Sequence, residues 1–253
     1  MHGAGLVSAM SATFPTSSFL AQTLGIGRYV WDRPAGDLKI AIEDPVGRGL
    51  LREGITTARI QARPNLLVLR PALGRDHYRI DQARRLNQHW LSPWEATIPP
   101  GSDEKLPDFR QYCRETDRRQ RMGQMLVMVI ELDKEVVGTV TLSGVQRGSL
   151  SQGMVGYWVT CDVAHRGVGS LGVAIVLDLV IKELGLHRLE ICVRPENDRS
   201  LGLCRKLGLR EEGLRPRFMN IGGRWADHLA FAIDAESMPE CGLVHQIWGA
   251  DVF

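Results

Sequence analysis

The chain has 253 residues, of which 44% are hydrophobic and 24% are charged, a composition typical of a globular protein with one full core and some additional structure. Its formal net charge of +2 and its isoelectric point near 8.3 are too mild for a nucleic-acid surface. Such surfaces normally show clustered Lys and Arg and an isoelectric point above about 9. We therefore expect no nucleic-acid partner.

Cysteine usage and hydropathy narrow the class of protein further. The 5 cysteines are odd in number and have no C-x-x-C spacing, so the sequence predicts neither a disulfide framework nor a metal site. No apolar run reaches the roughly 18 residues that a membrane-spanning helix needs. We expect a cytoplasmic protein that binds neither metal nor membrane, and the sequence leaves open whether it is a monomer or a homodimer.

The N-terminal quarter of the chain does not predict a regular domain. Residues 1–27 are rich in Ser, Thr, Ala and Gly, but the first Arg is Arg28, so the charged start of a secretory signal is missing. We expect a disordered leader there, or an over-long gene start with Met10 as an alternative initiator. Residues 28–63 are interpreted as an irregular N-terminal extension, because Pro and Gly interrupt them repeatedly.

Hydrophobic periodicity then predicts regular elements in chain order. A short strand is expected at 66–69, followed by helices at 76–87 and 108–122 with a proline-containing aromatic loop at 87–102 between them. The remaining pattern predicts a hairpin at 124–132 and 136–142, strands at 154–160, 188–193 and 224–233, and helices at 169–184 and 198–207. This order predicts an α/β (α+β) fold in which helices cover a mixed sheet.

One connection between these elements predicts an anion site. The strand at 154–160 leads through a glycine-containing loop into the next helix, whose first N–H groups have no intrahelical acceptor and carry the positive end of the helix dipole. Glycine at 167 and 169 allows a ligand to come close to the backbone. Pyrophosphate would fit, although such a loop also serves as a plain connection. The loop matches neither a P-loop nor a dinucleotide fingerprint.

The loop Arg166-Gly167-Val168-Gly169 resembles the Q/R-x-x-G-x-G/A loop of the GNAT superfamily of N-acetyltransferases, whose loop amides hold the coenzyme A pyrophosphate. One position departs from that pattern, because Leu171 stands where the family has Gly or Ala. A larger side chain there would narrow the pyrophosphate seat. We expect the change to be tolerated, since only backbone amides are needed.

Further motifs follow the family's order and spacing between residues 66 and 233 and resemble its RimJ/RimL branch, which acetylates N-terminal amines of ribosomal proteins. They are Leu91-Ser92-Pro93-Trp94-Glu95, Gly156-Tyr157-Trp158, Pro195-Glu196-Asn197-Asp198-Arg199-Ser200, Lys206-Leu207-Gly208-Leu209 and Gly222-Gly223-Arg224-Trp225-Ala226-Asp227-His228.

The resemblance implies the GNAT fold, a mostly antiparallel mixed sheet with helices on both faces that splays between its fourth and fifth strands. It implies a domain at 64–235 and a C-terminal tail at 236–253. It also implies acetyl-CoA as cofactor, with pantetheine paired to the main chain of Trp158, Val159 and Thr160. The pyrophosphate would lie against His165, Arg166, Gly167, Val168, Gly169 and Ser170.

The resemblance also assigns side-chain roles. Ser200 matches a serine that the branch places near the thioester sulfur, where it could protonate the departing thiolate. Asn197 would cap its helix and contact the pantetheine. Many other GNAT enzymes have an acid tyrosine where this chain has Cys204, so Cys204 is a second candidate acid, or a small core residue.

The general base is harder to assign from the sequence. Glu95, in the aromatic loop expected to border the substrate cleft, is the first candidate, and Asp103 and Glu104 follow it. The implied reaction is direct attack of an amine on the thioester, with strand amides near Val159 stabilising the oxyanion.

Two other functions stay open from the sequence. The same fold could acetylate a small amine such as a polyamine, an amino acid or an aminoglycoside. A non-catalytic acetyl-CoA-binding regulator is also open, supported by the unusual residues Leu171 and Cys204.

Overall fold

The computed structural model describes residues 29–60 and 62–251. The predictions for residues 1–27 therefore lie outside the described residues. Ten strands follow in chain order: β1 (Tyr29–Val30), β2 (Arg33–Pro34), β3 (Ile40–Glu43), β4 (Leu66–Pro71), β5 (Leu126–Leu132), β6 (Glu135–Gln146), β7 (Gln152–Val159), β8 (Arg188–Val193), β9 (Arg210–Ile221) and β10 (Arg224–Asp234).

Eight of the strands form one mixed sheet with the spatial order β3-β4-β5-β6-β7-β8-β10-β9, and β1 pairs with β2 separately. All neighbours in the large sheet are antiparallel except β7 and β8, which are parallel. The helices are α1 (Asp76–Leu86), α2 (Gln88–Leu91), α3 (Phe109–Arg121), α4 (Val168–Asp178), α5 (Asp198–Lys206) and α6 (Gly242–Trp248). The predicted mixed sheet with flanking helices is confirmed.

Side chains of β5 show why the sheet carries layers on both faces. Leu126, Met128 and Ile130 belong to the large core cluster that includes α4, whereas Val127 and Val129 form a second cluster against which Ile80 of α1 packs. Successive side chains of a strand point to opposite faces, so both faces of β5 are covered. Nearly all residues of helix α4 are buried and most of them are apolar, which fits a core helix whose first turn alone reaches the surface of a cleft.

The sheet splays at its parallel pair, as the family resemblance implied. Residues 152–154 of β7 pair with residues 188–190 of β8, and the rest of β7 diverges from that neighbour. These strands correspond to the fourth and fifth of the predicted strands, 154–160 and 188–193. They become the fifth and sixth strands of the sheet, because β3 adds an edge strand that the sequence did not predict.

The structure contains elements that the sequence did not predict: strands β1, β2 and β3 in the stretch interpreted as irregular, helix α2 in the stretch 87–102 interpreted as a loop, strand β9 and helix α6. Strand β3 is short and lies within the stretch interpreted as irregular, yet it pairs with β4, and Leu50 and Ile55 beyond it are buried in the main core. Strand β9 is mostly exposed. Helix α6 lies in the expected tail, where the buried carboxylate of Asp178 accepts the N–H groups of Leu243 at 2.7 Å and Val244 at 3.0 Å. None of the described helices is long and apolar enough to cross a membrane.

Candidate active site

A cleft with a volume of about 740 Å³ opens where β7 diverges from β8. One side, here called the α4 wall, surrounds the start of α4. Another side, here called the aromatic wall, is formed by α2 and the residues around it. The α4 wall consists of Arg52, His165, Gly167, Gly169, Ser170 and Lys206, and the aromatic wall of Arg84, Trp90, Leu91, Trp94, Glu95 and Ala96.

The backbone of β7 faces this cleft at alternate residues. The N–H of Thr160 donates to the carbonyl of Val137 in β6 at 2.8 Å. Because backbone groups alternate in direction along a strand, the N–H and carbonyl of Val159 point away from β6, into the gap. The Val159 carbonyl accepts a hydrogen bond from the indole N–H of Trp90 at 3.1 Å.

This alternation corrects one predicted cofactor contact. Thr160 is buried, its N–H is used by β6, and it does not line the cleft. Trp158 and Val159 do line the cleft, Val159 with its backbone and Trp158 with its side chain alone, because the Trp158 backbone is directed to Thr139 of β6. The half-buried Trp158 ring lies beside the Arg84 guanidinium, 5.9 Å from it, so its side chain is at the cleft surface rather than in the core.

The start of α4 has the geometry expected of an anion site. Gly167 precedes the helix with a φ of 94°, a conformation that favours glycine. Because glycine has no side chain, this residue does not cap the N–H groups that follow it. The N–H groups of Val168, Gly169 and Ser170 have no intrahelical acceptor there. His165, Gly167, Gly169 and Ser170 line the cleft as predicted.

Three other residues of this loop point elsewhere. Val168 and Leu171 are buried in the core, so Val168 can offer only its backbone and Leu171 does not narrow the cleft. The Arg166 guanidinium does not line the cleft and lies against Gly54, where a Cβ atom would be 3.0 Å from its Nη2. The Arg166 side chain therefore packs against the N-terminal extension, and the cofactor contact predicted for this residue stays a prediction.

Two hydroxyl groups meet on the cleft surface. The Tyr157 Oη lies 2.7 Å from the Ser200 Oγ. Asn197 caps α5 by accepting the N–H of Ser200 at 3.2 Å, and it also lines the cleft. Burial raises the pKa of Tyr157 well above its ordinary value, although the hydrogen bond with Ser200 acts in the opposite direction. Tyr157 therefore stays a neutral phenol that can donate to Ser200.

Tyr157 is a residue of the site whose role no sequence motif predicted. The signal that could have found it is the strand period, because residues 157 and 159 share a face of β7. Cys204, the second candidate acid, is fully buried and does not line the cleft. Burial raises the pKa of its thiol to about 12, so it is a core residue and not a proton donor to the cleft.

Glu95 lies in the cleft and is held there by its surroundings. Its carboxylate pairs with the guanidinium of Arg84 at 2.5 Å. Two residues further on, the N–H of Thr97 donates to the carbonyl of Asn220 in β9 at 2.8 Å, which fastens the loop to the sheet. Asp103 and Glu104 are exposed and do not line the cleft, so the structure does not bring these two candidate bases to the site.

The cleft carries an excess of positive charge. Its lining includes Arg52, Arg84, Arg199 and Lys206 but one carboxylate, Glu95. The Arg199 guanidinium lies over the Trp90 ring, 3.9 Å from its centre. Within the described ranges, no group of three or more His, Cys, Asp or Glu side chains converges in a way that could hold a metal ion.

Comparison with known proteins agrees with this geometry. The family model of the acetyltransferase (GNAT) domain matches residues 67–210, which is more than half of the chain. The chain is similar to the solved structure of Mycobacterium smegmatis RimJ in complex with CoA-disulfide, with 34% identity and a TM-score of 0.67, covering 79% of this chain and 91% of that chain.

Two curated relatives point the same way. The [ribosomal protein uS5]-alanine N-acetyltransferase of Escherichia coli is 25% identical over 181 residues, which cover 69% of this chain and 91% of that protein. The probable N-acetyltransferase YjcK of Bacillus subtilis is 38% identical over 103 residues, which cover 40% of this chain and little more than half, 56%, of that protein. The chain therefore belongs to the GNAT acetyltransferase family, in its RimJ/RimL branch, and is an acetyl-CoA-dependent N-acetyltransferase.

Proposed function

We propose that this protein acetylates the N-terminal α-amine of a protein, such as a ribosomal protein, in the cytoplasm. The E. coli relative is named for this reaction on ribosomal protein uS5, and the M. smegmatis relative is a RimJ protein with a bound coenzyme A disulfide. Acetyl-CoA would supply the activated acetyl thioester, and the amine would attack it directly.

Different residues of the cleft would serve different steps of this reaction. The N–H groups at the start of α4, together with Gly167, Gly169 and Ser170, would hold the pyrophosphate. The N–H of Val159 points into the gap, where it would stabilise negative charge developing on the carbonyl oxygen.

Side chains of the aromatic wall and of α5 would carry out the proton transfers. Glu95 would take one proton from the attacking amine, directly or through water, as a C–N bond forms. Ser200 would give one proton to the departing sulfur as the C–S bond breaks, and the hydroxyl of Tyr157, 2.7 Å away, would hold Ser200 in place. After the reaction Glu95 would release its proton to solvent, and Ser200 would regain one from solvent. The products are an amide and a free thiol.

The basicity of the acceptor favours an α-amine for such a site. Deprotonating a lysine side chain of pKa near 10.4 at pH 7 costs about 4.6 kcal/mol, against about 1.4 kcal/mol for an α-amine of pKa near 8. Carboxylates are weak bases towards amines, and the carboxylate of Glu95 is held in the cleft by its ion pair with Arg84. A weak base is sufficient for an α-amine and insufficient for a lysine.

The observation that carries the choice of acceptor is the charge of the cleft. Beside the aromatic wall, Arg84 and Arg199 line the cleft, and the carboxylate there, Glu95, is already paired with Arg84. A polyamine or an aminoglycoside carries several positive charges and would be repelled, because like charges brought together at an interface cost several kcal/mol. A peptide N-terminus brings a single amine. The non-catalytic alternative loses its support, because Leu171 and Cys204 both lie in the core.

A panel of acceptors tests this proposal. We expect peptides that begin with Ala or Ser to show a kcat/KM at least about a hundredfold above that of spermidine or an aminoglycoside, measured as thiol release from acetyl-CoA. Changing Arg199→Gln should narrow that ratio, whereas the matched change Arg121→Gln on the exposed end of α3 should not. Faster turnover of spermidine than of any peptide would support the small-amine function instead. Coenzyme A binding without turnover of any amine would support a binding module.

A further inference from the structure

Two cations converge on the α4 wall from different parts of the chain. Arg52 comes from the segment between β3 and β4, and Lys206 is the last residue of α5. Neither forms an ion pair with a carboxylate among the residues that the structure describes. Burial lowers the pKa of Lys206, and the positive charge of Arg52 lowers it further. Two like charges without a counter-charge cost free energy, which an anion between them would remove.

Each of these cations depends on a segment outside the family match at 67–210, because Arg52 itself lies before the match and Lys206 contacts Trp248 after it. The backbone N–H of Arg52 donates to the carbonyl of Arg166 at 2.9 Å, which attaches the N-terminal extension directly to the loop before α4. The Lys206 Nζ lies 4.4 Å from the centre of the Trp248 ring in α6 and 3.4 Å from the Ser170 Oγ. The cation–π contact keeps the ammonium group near the first turn of α4 without neutralising it.

We propose that Arg52 and Lys206 form a two-cation clamp that binds the phosphate groups of coenzyme A. The segment around Arg52 and helix α6 would thus have a function in this enzyme, since the first supplies Arg52 and the second holds Lys206 beside the phosphate seat of the α4 amides. The clamp adds a phosphate contact to the proposed acetyl-CoA site, and the identity of its ligand rests on the proposed function. Coenzyme A has phosphate at two places, the pyrophosphate and the 3′ position of the ribose, and the experiment separates them.

The test is direct binding, which needs no acceptor and no turnover. Coenzyme A, dephospho-coenzyme A and pantetheine are titrated calorimetrically into the full chain and into the variants Arg52→Gln, Arg52→Lys, Lys206→Gln and Arg121→Gln. Arg52→Gln and Lys206→Gln should each raise the Kd for coenzyme A about tenfold, the loss expected for one charge-assisted contact. Arg52→Lys should restore most of the affinity, and Arg121→Gln should match the wild type.

The phosphate-free ligand separates a clamp from a general loss of structure. Pantetheine should bind all variants as it binds the wild type. If the tenfold difference disappears with dephospho-coenzyme A, the clamp binds the 3′ phosphate, and if it persists, the clamp binds the pyrophosphate. Rising salt should weaken coenzyme A binding by the wild type more than by Arg52→Gln, because added ions screen exposed charges.

Two results would overturn the clamp. One is an equal Kd for coenzyme A in the wild type and in both glutamine variants, and the other is an equal loss of pantetheine and coenzyme A affinity. A wild-type chain that binds no coenzyme A at all would instead contradict the cofactor of the proposed function, so the two failures are distinguishable.

Discussion

Replacing Ser200 by alanine is expected to lower kcat about a hundredfold, because a positioned proton donor in the transition state typically contributes that much or more. The KM for acetyl-CoA should change little, since the hydroxyl acts on the leaving sulfur during the reaction and not on the bound substrate. Steady-state thiol release with an Ala-starting peptide measures both constants. Ser149→Ala, in the exposed turn between β6 and β7, is the matched control.

Tyr157→Phe separates positioning from proton donation. It removes the hydroxyl that lies 2.7 Å from the Ser200 Oγ but keeps the ring, so the fold should be preserved. We expect kcat to fall about tenfold, less than in Ser200→Ala, because the serine keeps its own proton. The double variant should be no slower than Ser200→Ala alone, since the two groups act as a unit. Equal turnover of Ser200→Ala and the wild type would remove Ser200 from the mechanism.

Replacing Glu95 by glutamine should lower kcat/KM for a peptide about tenfold at pH 7. The deficit should shrink as the pH rises towards about 9, because an α-amine of pKa near 8 becomes neutral without help. Glu104→Gln is the matched control, since Glu104 is exposed and outside the cleft. A deficit of the same size at every pH would show that Glu95 acts through its pairing with Arg84, and not as a base.

Local sequence patterns predicted the parts of this protein that depend on neighbouring residues. The glycine loop before α4, the cap at Asn197 and the strands around them need only a short stretch of chain, and the structure places them as expected. Strand β9 could not be predicted in this way. Its side chains are mostly exposed, so its sequence has no apolar alternation, and it is held by pairing with β10.

Side-chain direction was the weaker part of the site prediction. A motif match assigns the same role to consecutive residues, whereas the backbone groups of consecutive strand residues point in opposite directions. The predicted cofactor contact of Thr160 is therefore wrong, because its N–H bonds to β6, while the backbone of Val159 faces the gap. Contacts between segments that are distant in the chain could not be predicted from local sequence patterns. Arg52 and Lys206 line the same cleft although more than half of the chain separates them, and no pattern around either residue indicates the other. The domain limits 64–235 stay a prediction.

The central claim, acetylation of a protein α-amine, is tested most directly by locating the acetyl group on a product. A peptide that begins with Ala and contains one internal Lys is incubated with the protein and acetyl-CoA, and the product is fragmented in a mass spectrometer. We expect acetylation at the N-terminal amine with the lysine unmodified. The α-amine costs less to deprotonate than the lysine side chain, Glu95 as a carboxylate is a weak base, and the cleft is positively charged. Acetylation of the lysine side chain, with the N-terminus left free, would contradict the account.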